Sequence, residues 1–336
     1  MTRRGSGRGF IYLDAHGQRV KDLETLERVR ALVIPPAWTE IWICPDPLGH
    51  LQATGIDAAG RKQYLYHPRW REHRDRQKFQ RMTELGAVLP KARRAIRRDL
   101  EADGLTRQRV LAGAARLLDV GMFRIGSEQY ADEEGGIGLA TLRKENVSIQ
   151  EDKALFDYLA KRGVHRVQVI DDPAAVQIVS ELKRRRSGGP ELLAYRNGRR
   201  WHAVRSDDIN EYLKQHLGEE FSAKDFRTWN ATVMAAVGLA ADGRGEPSKT
   251  ARKRAVNRAV RAVAELLGNT PAVARRAYID PRVFDRYDSG WTIAGALEQL
   301  PSLDPSDDRV RAKIEAAVLD LLADNRASPA LEHDQA

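Results

Sequence analysis

Residues 61–86 read RKQYLYHPRWREHRDRQKFQRMTELG, and within this span the texture of the chain changes. Up to His67 the alternation in QYLY, closed by Pro68, is the pattern of a short strand. From Glu72 a charged run without internal Gly or Pro takes over, which reads as a helix. Upstream lie FIYL, VIPPAW, IWIC and PDPLGH, short apolar runs broken by turn residues. Asp22 to Leu32 interrupts them, with Leu23, Leu26, Val29 and Leu32 at helical spacing. Downstream, 105–119 places Val110, Leu111, Ala114, Leu117 and Leu118 on one helical face, and 173–186, 207–217, 224–241, 249–267 and 308–323 read alike. The expectation is an α+β chain in two parts: a small β-rich domain over 1–74 and a larger, mainly helical domain over 75–323. A disordered tail is expected from 324 to 336.

One stretch admits two readings. EDKALFDYLAKRG passes for a helix closed by Gly163, yet VHRVQVI directly after it alternates like a strand, so a β-hairpin turning at Lys161 to Gly163 competes.

With +9 formal charge and a pI near 9.7, the chain favours a polyanionic partner, since Lys and Arg displace condensed counterions on meeting phosphates. Cys44 stands alone, which excludes an internal disulfide and a thiolate metal cluster and fits a reducing cytoplasm. No apolar run follows MTRRGSGRGF and none approaches a membrane span, so neither export nor membrane insertion is expected. Asp171-Asp172, Asp207-Asp208 and Asp307-Asp308 read as turns or caps, and no clustered acidic ligand set or GxxxxGK loop is present. No metal, nucleotide or other cofactor is expected.

Taken singly, the polar residues that could carry chemistry have structural explanations. Arg124 in GMFRIGSEQY and Arg227 in KDFRTWNA sit among aromatic residues, where an ion pair would account for either. Lys161 reads as a turn lysine. In LGNTPAVARRAYIDP, Asn-Thr-Pro reads as a helix start that explains Asn269, and Tyr278 reads as an anchor near the end of that helix.

Order and spacing make a set of them. Arg124 within F-R-x-G, then Lys161 on a possible hairpin, Arg227 within K-D-x-R-T, and Asn269 before Thr-Pro leading to Tyr278 in A-Y-I-D-P resemble the type IB DNA topoisomerases of the compact bacterial and poxvirus kind. The resemblance covers about residues 10 to 290. It implies a catalytic helical domain with Tyr278, Arg124, Lys161, Arg227 and Asn269 as its site, and a hairpin under Lys161. It also implies a DNA-contacting first domain, with Arg61, Lys62, Gln63, Tyr64 and Tyr66 of GRKQYLY on the duplex, and a further groove contact at Tyr130. Arg61 and Lys62 suit phosphates, whereas amide and phenol groups can read base edges. The implied partner is duplex DNA, gripped by a monomer closing as a clamp, in the cytoplasm at the nucleoid. Asn269 departs from the family, which more often has His there; an amide donates a hydrogen bond but shuttles no proton.

These residue types suit attack on a phosphodiester. Two guanidiniums and an amide can meet charge developing on the non-bridging oxygens. A 5′-alkoxide needs an acid to leave, which assigns Lys161, and tyrosine supplies the nucleophile for a 3′-phosphotyrosine. A tyrosine recombinase uses similar groups but would exchange strands between paired sites as a multimer, and GRKQYLY speaks against it. A noncatalytic basic DNA-binding protein would explain the charge alone.

Overall fold

In a computed structural model, the structure describes residues 1–7, 9–126, 136–242, 248–302, 304 and 306–333. The chain divides into two compact units, Met1–Gln80 and Arg81–Ala336.

The first unit is an antiparallel sheet of β1 (Thr2–Ser6), β2 (Gly9–Leu13), β3 (Thr39–Ile43), β4 (Leu51–Ile56) and β5 (Lys62–Tyr66), in the order β2-β1-β3-β4-β5. One helix, α1 (Leu23–Ala31), crosses between β2 and β3, capped by the Asp22 carboxylate accepting from the Thr25 N–H at 2.8 Å. Val29, Ile34, Ile41, Ile43 and Ala53 are buried together, with Met1, Tyr12, Leu32, Trp38 and Leu65 packed on them. The β4–β5 turn is built by Asp57, whose carboxylate accepts from the N–H groups of Ala59 and Arg61 at 2.9 and 3.0 Å, while Gly60 takes φ +75°.

The division between the units falls inside a long helix, α2 (Pro68–Leu100). Thereafter come α3 (Arg107–Gly121), a three-stranded sheet of β6 (Val147–Gln150), β7 (Lys153–Ala160) and β8 (Val164–Ile170), and α4 (Pro173–Arg184). A hairpin of β9 (Ala194–Asn197) and β10 (Arg200–Ala203) leads into α5 (Ser206–Leu217), α6 (Ala223–Asp242), α7 (Lys249–Leu267), α8 (Pro271–Ala277) and α9 (Pro281–Asp288). The chain closes with β11 (Trp291–Thr292), α10 (Ala294–Glu298), α11 (Asp308–Leu322) and β12 (Glu332–His333).

The ambiguous stretch is the hairpin. Ala154, Phe156, Tyr158 and Ala160 alternate into the interior along β7, and Ala160 pairs with Val164 as the last rung before the turn Lys161–Gly163, where Gly163 has φ +67°. Two other expectations are corrected. The helix read as one-faced, α3, is buried all round, its charged Arg109, Arg116 and Asp119 included. The tail is ordered as far as His333. β12 pairs with β11, His333 packs on Trp291 with ring centroids 4.6 Å apart, and the Ala330 carbonyl accepts from the Ala296 N–H at 2.9 Å.

Asp119 shows why α3 tolerates interior charge. Its carboxylate accepts from Arg93 at 2.8 Å and Arg311 at 2.7 Å, and Arg93 reaches on to Glu315 at 2.6 Å, tying α2, α3 and α11 together. Burial alone would push Asp119 up; the charges of Arg311 and Arg93 override it and hold the carboxyl far below the ordinary range. A depressed folded-state pKa gives stability that is present above the unfolded value near 4 and is lost only as the pH falls through the folded one. Asp119→Ala takes from Arg311 its carboxylate and leaves Arg93 with Glu315 alone, and is expected to cost about 3–5 kcal/mol. Urea denaturation at neutral pH measures it; a loss below about 1 kcal/mol would show the network to be dispensable.

Candidate active site

The site is organised by the C-terminal turn of α7. A helix ends with carbonyls that have no intrahelical partner and carry the negative end of its dipole. Here four successive ones are taken by three arginines. Arg166 Nη1 donates to Glu265 O at 2.9 Å and its Nη2 to Leu266 O at 2.6 Å. Arg227 Nη2 donates to Leu267 O at 2.8 Å, and Arg124 Nη2 to Gly268 O at 3.4 Å. Gly268 makes the turn possible with φ +61°, and its N–H returns to Glu265 O at 3.0 Å.

Each arginine comes from a different element. Arg227 lies in the second turn of α6, is 4% exposed, and also donates to Met122 O at the end of α3. Its Nε is buried without a hydrogen-bond partner among the described residues. Arg124 follows Phe123, which is wholly buried and meets Phe156 edge-on at 4.9 Å. The backbone at Arg124 and Ile125 is held by the 139–140 segment, with Leu139 N–H donating to Arg124 O and Ala140 N–H to Ile125 O, both at 2.8 Å. Gly126 and Gly138 allow that approach: a Cβ on Gly138 would stand 2.4 Å from the Gly126 nitrogen.

Asn269 follows Gly268 directly. The sequence reading made it the cap of α8, but the cap is Thr270, whose hydroxyl accepts from the Val273 N–H at 3.4 Å ahead of Pro271. Asn269 is thereby left to the site, where its Oδ1 accepts from Arg124 Nη2. Tyr278 is half-buried at the end of α8, its N–H donating to Ala274 O at 3.0 Å. Beyond it, Thr232 on α6 holds the turn: its hydroxyl oxygen accepts from the Asp280 N–H at 3.1 Å and lies 3.4 Å from Tyr278 O. The Arg227 guanidinium carbon is 5.4 Å from the centre of the Tyr278 ring.

The electrostatics follow from that packing. For Tyr278, burial opposes ionisation, but the charge of Arg227, a hydrogen bond with Asn269 and the charge of Arg124 outweigh it and bring the phenol below its ordinary value of 10. Burial draws Arg227 down to about 10, with Arg124 and Arg166 contributing and Tyr278 opposing, so it stays charged at neutral pH.

The structure thus brings together Arg124, Arg227, Asn269 and Tyr278. Lys161 is exposed at the tip of the β7–β8 hairpin, where the backbone of Gly136 passes so close that a Cβ there would lie 2.7 Å from the Lys161 Cα. Arg166 was missed by the sequence reading; within VHRVQVI it is one cation in a strand, and only the backbone carbonyls of another element reveal it.

On the first unit, Tyr64 and Tyr66 share a face of β5, both exposed and stacked at 6.2 Å, with exposed Lys62 beside them. Gln63 points to the opposite face and donates to Asp57 at 2.9 Å, and Arg61 pairs with the same carboxylate at 3.2 Å. Tyr130 lies outside the described residues.

A β-sheet unit is thus followed by a mainly helical unit in which a tyrosine lies against clustered arginines. Residues 67–315 match the family described as the catalytic core of eukaryotic DNA topoisomerase I, and residues 9–57 match the N-terminal domain of bacterial DNA topoisomerase IB. The chain belongs to the type IB DNA topoisomerase family, an isomerase acting on DNA, and the match extends past residue 290, where the sequence motifs ended. Among its relatives, DNA topoisomerase 1B of Acanthamoeba polyphaga mimivirus is 28% identical over 284 residues, covering 82% of this chain and 84% of that one. DNA topoisomerase 1 of rabbit fibroma virus is 21% identical over 83% of this chain and 89% of its own length. With DNA topoisomerase 1 of Schizosaccharomyces pombe the identity is 29% over 48% of this chain, a stretch that spans 19% of the yeast protein.

Proposed function

We propose that this topoisomerase cleaves and reseals one strand of duplex DNA through a covalent bond to Tyr278. Tyr278 gives its phenolic proton to solvent, a loss that the neighbouring cations ease, and its oxygen attacks phosphorus in line with the bridging 5′-oxygen. As the new O–P bond forms the P–O5′ bond breaks, Lys161 gives its proton to the departing oxygen, and a 3′-phosphotyrosine and a free 5′-hydroxyl result. Arg124 and Arg227 hold the non-bridging oxygens, with Asn269 as a neutral donor to phosphate and tyrosine. Resealing runs the same steps backwards. The phosphotyrosine keeps the free energy of the broken phosphodiester, so supercoils relax without ATP, and the guanidiniums supply the charge that a divalent metal would otherwise bring.

The observation that carries this reading is the missing counter-charge. The buried arginines Arg93, Arg109 and Arg116 each pair with a carboxylate, and Arg185 rests on carbonyls away from the site; Arg124 and Arg227, like Arg166, have no carboxylate among the described residues, and these three converge on one helix end beside Tyr278. Concentrated positive charge held open beside a tyrosine calls for an anion, and a backbone phosphate is the one this family meets.

Arg61, Lys62, Gln63, Tyr64 and Tyr66 are proposed to contact the duplex, Gln63 after release from Asp57. The enzyme acts as a monomer that closes as a clamp around DNA at the cytoplasmic nucleoid. Supercoiled plasmid incubated with the protein in EDTA and quenched with detergent tests the mechanism. Relaxed topoisomers and a protein–DNA adduct are expected; relaxation that needs added metal or ATP, or that yields no adduct, would refute it.

A further inference from the structure

Arg166 belongs to no motif and is one of the three arginines on the end of α7. It stands opposite Tyr158 across the β7–β8 hairpin, a few residues from the tip that carries Lys161. Both of its terminal nitrogens are engaged, on Glu265 O and Leu266 O, so its guanidinium is turned into the protein. Contact with α7 is intimate: a Cβ on Gly268 would come within 2.9 Å of Arg166 Nη1. Below it, Tyr158 donates to Gln168, and Gln168 donates to Gly121 O, a bond that fixes the base of the hairpin to the end of α3 without passing through Arg166.

We propose that Arg166 is a positioning residue for strand cleavage. It latches the hairpin to the last turn of α7 and so sets where Lys161 enters relative to Asn269 and Tyr278, which follow that turn directly. The inference rests on the reading of Lys161 as the general acid. The Gln168 anchor holds the hairpin's root, whereas the Arg166 latch holds its outer half, where an ångström of drift at the tip would misplace the acid. Misplacement on that scale costs up to about a hundredfold in rate.

Single-turnover formation of the covalent adduct tests it, on duplexes carrying either the natural phosphodiester or a 5′-bridging sulfur at the cleavage position. A thiolate leaves without an acid. Lys161→Ala is expected to lose rate on oxygen and recover it on sulfur. Arg166→Ala should be slowed about tenfold to a hundredfold on oxygen, with a sulfur-to-oxygen rate ratio raised above wild type. Arg166→Lys, which keeps one donor, should fall between; if the alanine variant does not fold, the raised ratio in Arg166→Lys decides. Equal losses on both substrates, or wild-type cleavage of the oxygen substrate, would overturn the latch. If Lys161→Ala is rescued and Arg166→Ala is not, the latch alone falls. If Lys161→Ala shows no rescue, the acid assignment falls and takes the latch with it.

Discussion

Tyr278→Phe is expected to bind supercoiled plasmid as wild type does and to leave it supercoiled, with no covalent adduct after a detergent quench. The loss in cleavage rate should be on the order of 10⁴ or more, because no other group can take over a nucleophile's bond to phosphorus. The substitution isolates the hydroxyl. The half-buried ring, its place against Arg227 and the backbone bonds around Ala274 and Thr232 stay, so stability should change by no more than about 1 kcal/mol. Gel-shift affinity, plasmid topology and adduct yield measure the three quantities on one preparation. Retained relaxation would remove Tyr278 from the mechanism.

Legibility in the sequence followed from how local the cause was. The switch from strand to helix across 61–86 was readable because period and punctuation act within a few residues. The hairpin at 153–170 was not decided locally. ALFDYLA satisfies both a helical and an alternating pattern, and the choice is made by β6 and the end of α3, which take up Phe156, Tyr158 and Gln168. The all-round burial of α3 was hidden because its apolar residues mark only one face, whereas Glu181, Asp172 and Arg311, the partners of its charged residues, are far along the chain. The ordered tail was hidden for the same reason, its partners being Trp291 and Ala296.

At the site, the residue types were legible and their support was not. Arg124, Arg227, Asn269 and Tyr278 could be named from motif order, but what holds them is main chain: Leu267 O and Gly268 O take the two arginines, and Ala264 O and Ala274 O take the N–H groups of Asn269 and Tyr278. Main-chain groups leave no trace in residue identity. The same blindness gave Asn269 to a helix cap: Asn-Thr-Pro permits either residue as the cap, and the Schellman-like end of α7, with the Asn269 N–H on Ala264 O at 2.9 Å, assigns the role to Thr270.

Arg227→Ala is expected to lower the cleavage rate by about 10²–10³, the usual cost of removing a fixed donor from a developing oxyanion. The effect should fall on the rate of the bound complex more than on affinity, because the interaction strengthens as charge builds at phosphorus. Two further consequences separate this from simple damage. Arg227 helps hold Tyr278 below its ordinary pKa, so losing the positive charge raises the phenol, and the pH at which cleavage levels off should move upward. Arg227 also spans the carbonyls of Met122 and Leu267, so the alanine variant leaves two buried acceptors and should lose about 1–3 kcal/mol of stability for each that finds no water. Arg227→Lys keeps the charge and gives up the fork. It should therefore retain most of the wild-type pH profile while losing a large part of the rate, because a single ammonium cannot bridge two helix ends and meet a phosphate with a planar pair of donors. Single-turnover cleavage across pH, measured well below each variant's melting temperature, distinguishes these outcomes. An alanine variant with a wild-type rate would show that the guanidinium resting on two helix ends has no part in the chemistry.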